Sequence, residues 1–201
     1  ASEPHSGLPF NKCTDVALDP KTGEIYVADG YANSSVHKYS PDGKLLFSWG
    51  KPGTDPGEFN IVHNIATDGD GYVYVADREN HRVQVFDSDG RYETQWANMH
   101  RPSALYVSED QHVYVGELGA EMEVNRGVPN IGPRISIYDT SGKRLARLGL
   151  PGYGFEVGQF LAPHSICLDS KGNIFLGEVD WTYCEALGDP RDDVRGLQKL
   201  E

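Results

Sequence analysis

A short hydrophobic run that ends in an acidic residue occurs four times in the chain, and it constrains the fold more than any other feature. It reads Ile25–Asp29 first, then returns as Val73–Asp77, Val113–Glu117 and Ile174–Glu178. The acidic residues, at positions 29, 77, 117 and 178, are 48, 40 and 61 residues apart. These spacings lie inside or near the period of β-propeller blades once loop insertions are allowed. The chain is therefore four copies of one structural unit.

Each copy contains signals for four short strands joined by tight turns. In the second copy the strands are expected at Ile65–Thr67, Tyr72–Ala76, Arg82–Phe86 and Arg91–Trp96, with turns at Asp68–Gly71 and Ser88–Gly90. A lone four-stranded sheet of this kind must pack a face on its neighbour, so the pattern predicts an all-β propeller. No stretch has helical hydrophobic periodicity over a useful length, and no helix is predicted.

The repeats divide the chain at approximate boundaries. We expect a flexible segment at 1–9, followed by the propeller over 10–201, with repeats at about 10–50, 57–97, 99–149 and 158–201. The last repeat ends at its third strand, Leu197–Leu200. Four blades with open ends would expose apolar faces that soluble monomers rarely tolerate. The expectation is an incomplete ring, closed either by upstream blades or by self-association with another chain.

Charge excludes several classes of partner. The 30 Asp and Glu residues outnumber the 18 Lys and Arg residues and give a formal charge of −12, which repels nucleic acid and anionic lipid. No apolar run reaches the ~18 residues of a membrane span, and Ala1–Gly7 lacks the features of a signal peptide. A soluble protein is expected. Its three cysteines are too irregularly spaced for a disulfide framework, and its compartment stays open.

Two long insertions predict a functional face. Gly119–Pro133 separates the second and third strands of the third copy, and Val179–Arg195 separates those strands in the fourth. The second insertion contains Trp181, Tyr183 and Cys184. Long loops at one repeated place indicate one functional end of the propeller.

Candidate site residues are found by strand polarity. Residues just before a first strand share an end of the blade with residues just after the second strand. Counting back fourteen positions from each repeated acid gives four equivalent places, which are Asp15, His63, Ser103 and His164. Counting forward on the same face gives Tyr31 and Arg78. Neutral imidazole is a common zinc ligand, so His63 and His164 are candidate ligands, with hydrogen-bonded polar plugs of the channel as the alternative.

Other polar residues favour structural roles. The repeated carboxylates Asp29, Asp77, Glu117 and Glu178 are expected to accept backbone N–H bonds of the following loop. The remaining histidines have no repeated position and are interpreted as surface or packing residues. The chain has no GxSxG elbow, HExxH pair or phosphate-binding glycine loop, so serine hydrolase and nucleotide chemistry lose support.

The residues also resemble a known family. The unit with Val-Ala-Asp, Asn-x-x-Val and Pro-Asp-Gly is similar to the NHL repeat. Four stretches resemble peptidyl-α-hydroxyglycine α-amidating lyase more specifically: Ala28–Ser34, Gly57–His63, Val75–Asn80 and Phe160–His164. The resemblance spans Phe10 to Leu200 and is closest to bacterial relatives of that lyase, through Gly177–Trp181 and Leu197–Leu200.

The resemblance implies a six-bladed propeller that holds zinc on three channel histidines. Carried over residue by residue, His63 and His164 are two zinc ligands, Tyr31 is the base, and Arg78 contacts the substrate. The implied reaction is the cleavage of peptidyl α-hydroxyglycine to a peptide amide and glyoxylate. The family's third histidine and second arginine belong to two blades that precede the four present here. Ser165 stands where the family has a calcium ligand, so calcium is not predicted, and Ala32 replaces a disulfide cysteine.

Two classes of function follow. The first is a zinc-dependent carbon–nitrogen lyase, or a related lactonase or esterase, that acts on a small polar or peptide-derived substrate. As an incomplete copy of the ring it is expected to bind zinc weakly and to have little lyase activity. The second is a non-catalytic NHL propeller that binds a protein or peptide on its loop face. Neither class includes nucleic acid or membrane among the expected partners.

Overall fold

The computed structural model describes residues 3–119, 123–125, 128–188, 191 and 193–201. The first two sheets contain β1 (Asp15–Leu18), β2 (Ile25–Asp29), β3 (Ser35–Tyr39), β4 (Leu45–Trp49), β5 (Val62–Thr67), β6 (Val73–Asp77), β7 (Arg82–Phe86) and β8 (Tyr92–Trp96). The last two contain β9 (Pro102–Val107), β10 (His112–Glu117), β11 (Arg134–Asp139), β12 (Arg144–Leu148), β13 (Pro163–Leu168), β14 (Ile174–Glu178) and β15 (Leu197–Leu200). Among the described residues the one α-helix, α1 (Asp180–Leu187), follows β14, and short 3-10 helices span Arg78–Asn80 and Glu123–Asn125. None of these helices is long and apolar enough to cross a membrane.

Each sheet is an antiparallel meander in which sequence neighbours pair. Three sheets have four strands in the order first, second, third, fourth, and the last sheet has three. The inner strands β1, β5, β9 and β13 contact one another in that order. The predicted all-β propeller with four blades is therefore confirmed. The six-bladed ring is not shown by these four blades and stays a prediction.

Hydrophobic cores lie between neighbouring blades rather than within them. Tyr26 and Val36 of blade 1 pack with Ile65 and Phe86 of blade 2. Tyr74 and Trp96 of blade 2 pack in the same way with Val113 and Tyr138 of blade 3. The third core joins blades 3 and 4. Blades 2 and 3 thus bury both faces against adjacent copies, and blades 1 and 4 each bury one face.

The helix α1 corrects the expectation that the chain contains no helix. It begins directly after β14, inside the predicted insertion Val179–Arg195, and has Asp180 in its first turn. It ends at Gly188, whose φ of 76° provides the left-handed residue that commonly terminates helices. Eight residues make little more than two turns, which is too short for a hydrophobic period to be recognised.

The repeated carboxylates, of which Asp29, Asp77 and Glu117 are buried and Glu178 is half-buried, bind backbone N–H groups. Their donors are Asn11 N–H to Asp29, Asn60 N–H to Asp77, His100 N–H to Glu117, and the N–H groups of Leu161 and Ala162 to Glu178. This geometry supports the structural interpretation, but the loop involved precedes the inner strand of the same blade. The expectation of a following loop was wrong. In each blade the carboxylate therefore holds the chain that enters the inner strand.

The segment before the first repeat lies against blade 1. His5 donates its backbone N–H to the Ala32 carbonyl at 2.7 Å, and the Asn33 side chain donates to the Leu8 carbonyl at 2.8 Å. The Phe10 ring packs edge-on against His37 at 5.7 Å between centroids. The two hydrogen bonds attach residues of the predicted flexible segment to the loop between β2 and β3, and the ring contact attaches Phe10 to β3.

Gly30 permits close contact between the first two blades, which gives a stability prediction. A Cβ at this position would lie 1.7 Å from the Val62 carbonyl oxygen, a backbone atom that cannot move independently of β5. We expect Gly30→Ala to lower the free energy of unfolding by at least about 2 kcal/mol, measured by denaturant titration. Gly69→Ala is the control, because its Cβ would meet only the mobile Gln111 side chain at 3.3 Å. Equal costs for both variants would contradict the prediction.

Candidate functional site

A β-bulge in each inner strand positions the two candidate histidines. In β5 the pairing with β6 passes from Val62 to Asn64 and leaves His63 unpaired. In β13 the pairing with β14 likewise skips His164. A bulge of this kind bends the strand and redirects the side chain of the extra residue. The same local geometry therefore presents a histidine from blade 2 and from blade 4.

The strand pairing shows that one of the four residues predicted to be equivalent, Asp15, does not occupy the same place as the other three. Ser103 is the skipped residue of β9, as expected, but Asp15 pairs normally with Ala28 in β1. The first hairpin is one residue longer than the others, so Thr14 is the true counterpart of His63. Asp15 instead accepts the backbone N–H of Ile65 at 3.1 Å.

The residues at the bulge position also join each blade to the next. Thr14 Oγ1 donates to the Val62 carbonyl at 2.8 Å, and Ser103 Oγ donates to the Pro163 carbonyl at 3.0 Å. In blade 2, His63 Nδ1 is 2.8 Å from the Ser103 carbonyl of blade 3. A carbonyl oxygen only accepts, so Nδ1 must carry a proton. In the neutral ring this leaves the Nε2 lone pair of His63 free to act as a ligand or acceptor.

The two histidine rings lie in contact, and Tyr31 lies beside them. The ring centroids of His63 and His164 are 4.7 Å apart at an interplanar angle of 87°, and those of Tyr31 and His63 are 5.9 Å apart. His63 is only 3 % exposed, whereas Tyr31 is 48 % exposed. The site therefore has a buried imidazole at its base and a phenol open to solvent.

Tyr31 and Arg78 meet because they occupy matching places on neighbouring blades. The Tyr31 N–H donates to the Lys12 carbonyl, and the Arg78 N–H donates to the Ile61 carbonyl in the corresponding loop. Arg78 Nη1 donates to the Tyr31 hydroxyl oxygen at 3.1 Å, and its guanidinium carbon is 5.4 Å from the ring centroid. The structure thus brings together all four residues singled out from the sequence: Tyr31, His63, Arg78 and His164.

Burial and positive charge keep both imidazoles unprotonated. Burial, assisted by the charge of Arg78, lowers the pKa of His63 to about 3. Burial and Arg78 also lower the pKa of His164. At neutral pH both rings are therefore neutral, which is the form that donates a lone pair to a metal.

The imidazole pair fits part of a zinc site. Zinc in catalytic sites typically has three protein ligands and one open position. A zinc-binding histidine usually has its other ring nitrogen hydrogen-bonded, as His63 Nδ1 is to the Ser103 carbonyl. Within the described residues, no group of three or more His, Cys, Asp and Glu side chains is placed to hold a metal. The donor set present is therefore two neutral imidazoles.

Three residues beside the site were not recognised as part of it from the sequence. Glu79 accepts hydrogen bonds from Arg78 and from Arg101, and Arg101 Nη1 donates to the Tyr183 hydroxyl at 3.2 Å. Glu79 lies in the stretch that carried the family resemblance, but it received no role. Arg101 directly precedes β9, as Ile61 directly precedes β5. This place in the repeat is the signal from which its position beside the site could have been predicted. For Tyr183 the sequence predicts only a place on the loop face that the non-catalytic alternative uses for binding.

The two insertions differ in what the structure describes. Tyr183 of α1 connects the Val179–Arg195 insertion to Arg101 and hence to the site. Residues 189, 190 and 192 of this insertion lie outside the described residues. In Gly119–Pro133, residues 120–122, 126 and 127 lie outside them as well. That this second insertion borders the opening stays a prediction.

A second pair of histidines lies next to this network. The rings of His81 and His100 are 4.6 Å apart, and His81 Nδ1 accepts the backbone N–H of Arg101 at 3.2 Å. Both residues are half-buried, in agreement with the packing role expected from the sequence. Burial lowers the pKa of His100 to about 4, and the nearby charges of His81, Arg101 and Arg134 contribute in the same direction.

Comparison with known proteins now adds to this geometry. The profile of the NHL repeat matches residues 10–39 and 59–86. The chain contains NHL repeats. It is 36 % identical over 168 residues to NHL repeat-containing protein 3 of Homo sapiens, in an alignment that covers 79 % of this chain and 44 % of that protein. The predicted NHL resemblance is confirmed.

Homologues named as amidating enzymes are also found. The chain is 30 % identical over 199 residues to peptidyl-alpha-hydroxyglycine alpha-amidating lyase 1 of Drosophila melanogaster, covering 90 % of the chain and 35 % of that protein. It is 30 % identical over 191 residues to peptidyl-glycine alpha-amidating monooxygenase B of Xenopus laevis, covering 85 % of the chain and 19 % of that protein. The chain thus spans about a fifth to less than half of these relatives.

Solved structures support the fold. One of them, the hydrazine synthase of Kuenenia stuttgartiensis, superposes with a TM-score of 0.63 at 14 % identity. The match covers 89 % of this chain and 46 % of that chain. At this identity the likeness shows the propeller fold alone.

The lowered pKa of His100 predicts how stability depends on pH. The folded-state pKa is about 4, below the ordinary 6.5, so the unfolded chain binds more protons between these values. His100 therefore costs stability as the pH falls from about 6.5 towards 4, by less than about 1 kcal/mol per pH unit because the ring is partly exposed. Unfolding titrations of His100→Gln and the parent should diverge in this window. The exposed His5→Gln is the control, and parallel profiles for His100→Gln would contradict the prediction.

Proposed function

We propose that this protein is a metal-dependent carbon–nitrogen lyase that acts on a peptidyl α-hydroxyglycine or a closely similar α-hydroxyamide. The observation that carries the proposal is the hydrogen bond between Arg78 and the Tyr31 hydroxyl beside the His63–His164 pair. It supplies a phenol with an adjacent cation and two imidazole lone pairs in one place. The homologues named as alpha-hydroxyglycine alpha-amidating lyases supply the substrate class.

The proposed role of Tyr31 is general base and then general acid. As a phenolate it would accept the proton of the substrate hydroxyl. The hydroxyl oxygen would form the carbonyl of glyoxylate as the bond from carbon to the amide nitrogen breaks. The nitrogen would then take the proton back from Tyr31, which leaves a peptide amide. Protons and electrons balance without another reactant, and Tyr31 is exposed enough to reach the substrate.

Arg78 is suited to hold Tyr31 in this role. Its side chain is buried and its guanidinium donates to the phenol oxygen, so a positive charge lies next to the atom that would become negative. Charge-assisted hydrogen bonds of this kind are stronger than neutral ones. Arg78 would also attract a carboxylate on the substrate, because its charge acts in a partly buried site.

The proposed metal is zinc, with His63 and His164 as two of its ligands. Zinc, when bound, would supply a Lewis acid that lowers the pKa of the substrate hydroxyl. His63 is prepared for this by its bond to the Ser103 carbonyl, which fixes the ring and its tautomer. The remaining contribution of this chain is to keep both rings neutral through burial and the charge of Arg78.

Two alternatives use the same surface. The similarity to NHL repeat-containing protein 3 and the side chain of Trp181 on α1, which is 61 % exposed, favour a non-catalytic propeller that binds a protein or peptide.

A lactonase or esterase would use the same imidazole pair but would transfer water to the substrate. Incubation with a lactone, an ester and an α-hydroxyglycine peptide separates the hydrolase from the lyase, and only the binding protein would be inactive on all three.

Tyr31→Phe should abolish turnover while bound zinc stays unchanged. Only the hydroxyl is removed, and that hydroxyl is the proposed proton carrier. Loss of general acid–base catalysis should lower kcat by roughly 100-fold or more, measured by glyoxylate release. Tyr72→Phe is the matched control, since Tyr72 is 41 % exposed at the turn preceding β6. Equal kcat in Tyr31→Phe and the parent would remove Tyr31 from the mechanism.

His63→Gln and His164→Gln should each lower the zinc content measured by elemental analysis after equilibration with zinc. Each variant removes one of two imidazole lone pairs from the same site. The exposed His5→Gln is the control and should retain the parent's zinc content. A parent protein that takes up no zinc, or variants that retain all of it, would contradict the metal assignment.

A further inference from the structure

We propose that Glu79 is a positioning residue that holds the Arg78 guanidinium against Tyr31, and that Arg101 holds Glu79 in place. The inference rests on the proposed function, because it concerns the pair that would carry the proton. It adds residues that touch neither the imidazole pair nor, in this proposal, the substrate.

The contacts show how Arg78 is oriented. Arg78 Nε donates to Glu79 Oε1 at 2.8 Å, while Nη1 of the same group donates to the Tyr31 oxygen at 3.1 Å. A guanidinium is planar and rigid, so two bonds from different nitrogens fix both its position and its plane. Without the carboxylate, the Tyr31 contact alone would leave this group free to turn about its side-chain torsions.

A second arginine fixes the carboxylate itself. Arg101 Nη2 donates to Glu79 Oε1 at 2.9 Å, and Arg101 Nε is 3.3 Å from each of the two carboxylate oxygens. The side chains of Arg78, Arg101 and Glu79 are 10 %, 7 % and 22 % exposed. Burial would raise the pKa of Glu79, but Arg101 and Arg78 together hold it below its ordinary value. Glu79 is therefore the negative charge between two buried positive ones.

The arrangement links distant parts of the chain. Arg101 Nη1 donates to the Tyr183 hydroxyl of α1 at 3.2 Å. A continuous series of hydrogen bonds thus runs from Tyr31 through Arg78, Glu79 and Arg101 to Tyr183. It connects the loop after β2 in blade 1 with the helix after β14 in blade 4. The position of Arg78 therefore depends on contacts from four blades.

The first measurement needs no substrate. In proton–nitrogen correlation NMR spectra, we expect the Nε–H signals of Arg78 and Arg101 to be resolved in the parent and assigned through Arg78→Lys and Arg101→Lys. Glu79→Gln should shift and broaden both signals, because it removes the shared charge. Arg101→Lys should also move the Arg78 signal, since the carboxylate loses its second anchor. Glu93→Gln, the same substitution on an exposed position of β8, should change neither signal.

The second measurement separates positioning from folding. In glyoxylate-release assays, Glu79→Gln should lower kcat roughly 10- to 100-fold, by analogy with groups that orient metal ligands. KM should change less than about threefold, because the effect falls on the proton-transfer step. Glu79→Asp retains the charge and should recover part of kcat. Circular dichroism identifies any variant that fails to fold. If Glu79→Gln does not fold, Glu79→Asp and Arg101→Lys are compared with the parent instead.

The outcomes distinguish this inference from the proposed function. If the parent has no turnover but Glu79→Gln moves both arginine signals, the lyase proposal fails and the positioning of Arg78 stands. If the parent turns over and Glu79→Gln leaves the Arg78 signal and kcat unchanged, the inference is overturned. An equal loss in Glu79→Gln and Glu79→Asp, with rising KM, would also overturn it, since it would indicate disruption of the binding surface.

Discussion

The other features depend on the hydrogen bonds that the carboxylate at the end of each second strand accepts from the loop before the inner strand. Asp77 shows the arrangement most completely, because it accepts bonds from the Asn60 N–H and from the side chains of Asn80, Arg82 and Gln84. Burial of a carboxylate costs several kcal/mol unless its lone pairs are satisfied, so the loop that brings this N–H is tightly specified. That loop leads directly into β5 and its bulge. The direction of the His63 side chain thus follows from a contact made by Asp77.

The same backbone arrangement carries different side chains in different blades. The bulge position holds a threonine, a histidine, a serine and a histidine in turn, at positions 14, 63, 103 and 164. Thr14 and Ser103 use their hydroxyls to join adjacent blades, whereas His63 uses one nitrogen for that purpose and keeps the other. The repeat therefore provides a fixed geometry in which chemistry is changed by substitution alone. A site built in this way has its positions set by the fold before any ligand binds.

The sequence predicted the features that the repeat imposes and missed those that break it. Strand polarity and register predicted the four blades, the end of the propeller that carries the site, and the meeting of Tyr31, His63, Arg78 and His164. Asp15 was placed wrongly because the first hairpin has one additional residue, a difference that counting from the repeated acid does not detect. The helix α1 was missed because it occurs once and is short. Glu79 and Arg101 form an ion pair across blades, and no period in the sequence reports which unlike residues meet in three dimensions.

Arg78 satisfies two electrostatic requirements at once. In the proposed mechanism Tyr31 would need a nearby positive charge to stabilise its phenolate, whereas His63 and His164, as the proposed ligands, would have to stay unprotonated. One guanidinium serves both, because it donates to the phenol oxygen and also lowers the pKa of the two imidazoles. The same charge repels a metal cation, and this repulsion must be offset by negative charge within the network. Glu79 supplies one negative charge on the Nε side of the Arg78 guanidinium, where it offsets part of the positive charge of Arg78 and Arg101 without occupying the face that Tyr31 and the imidazoles share.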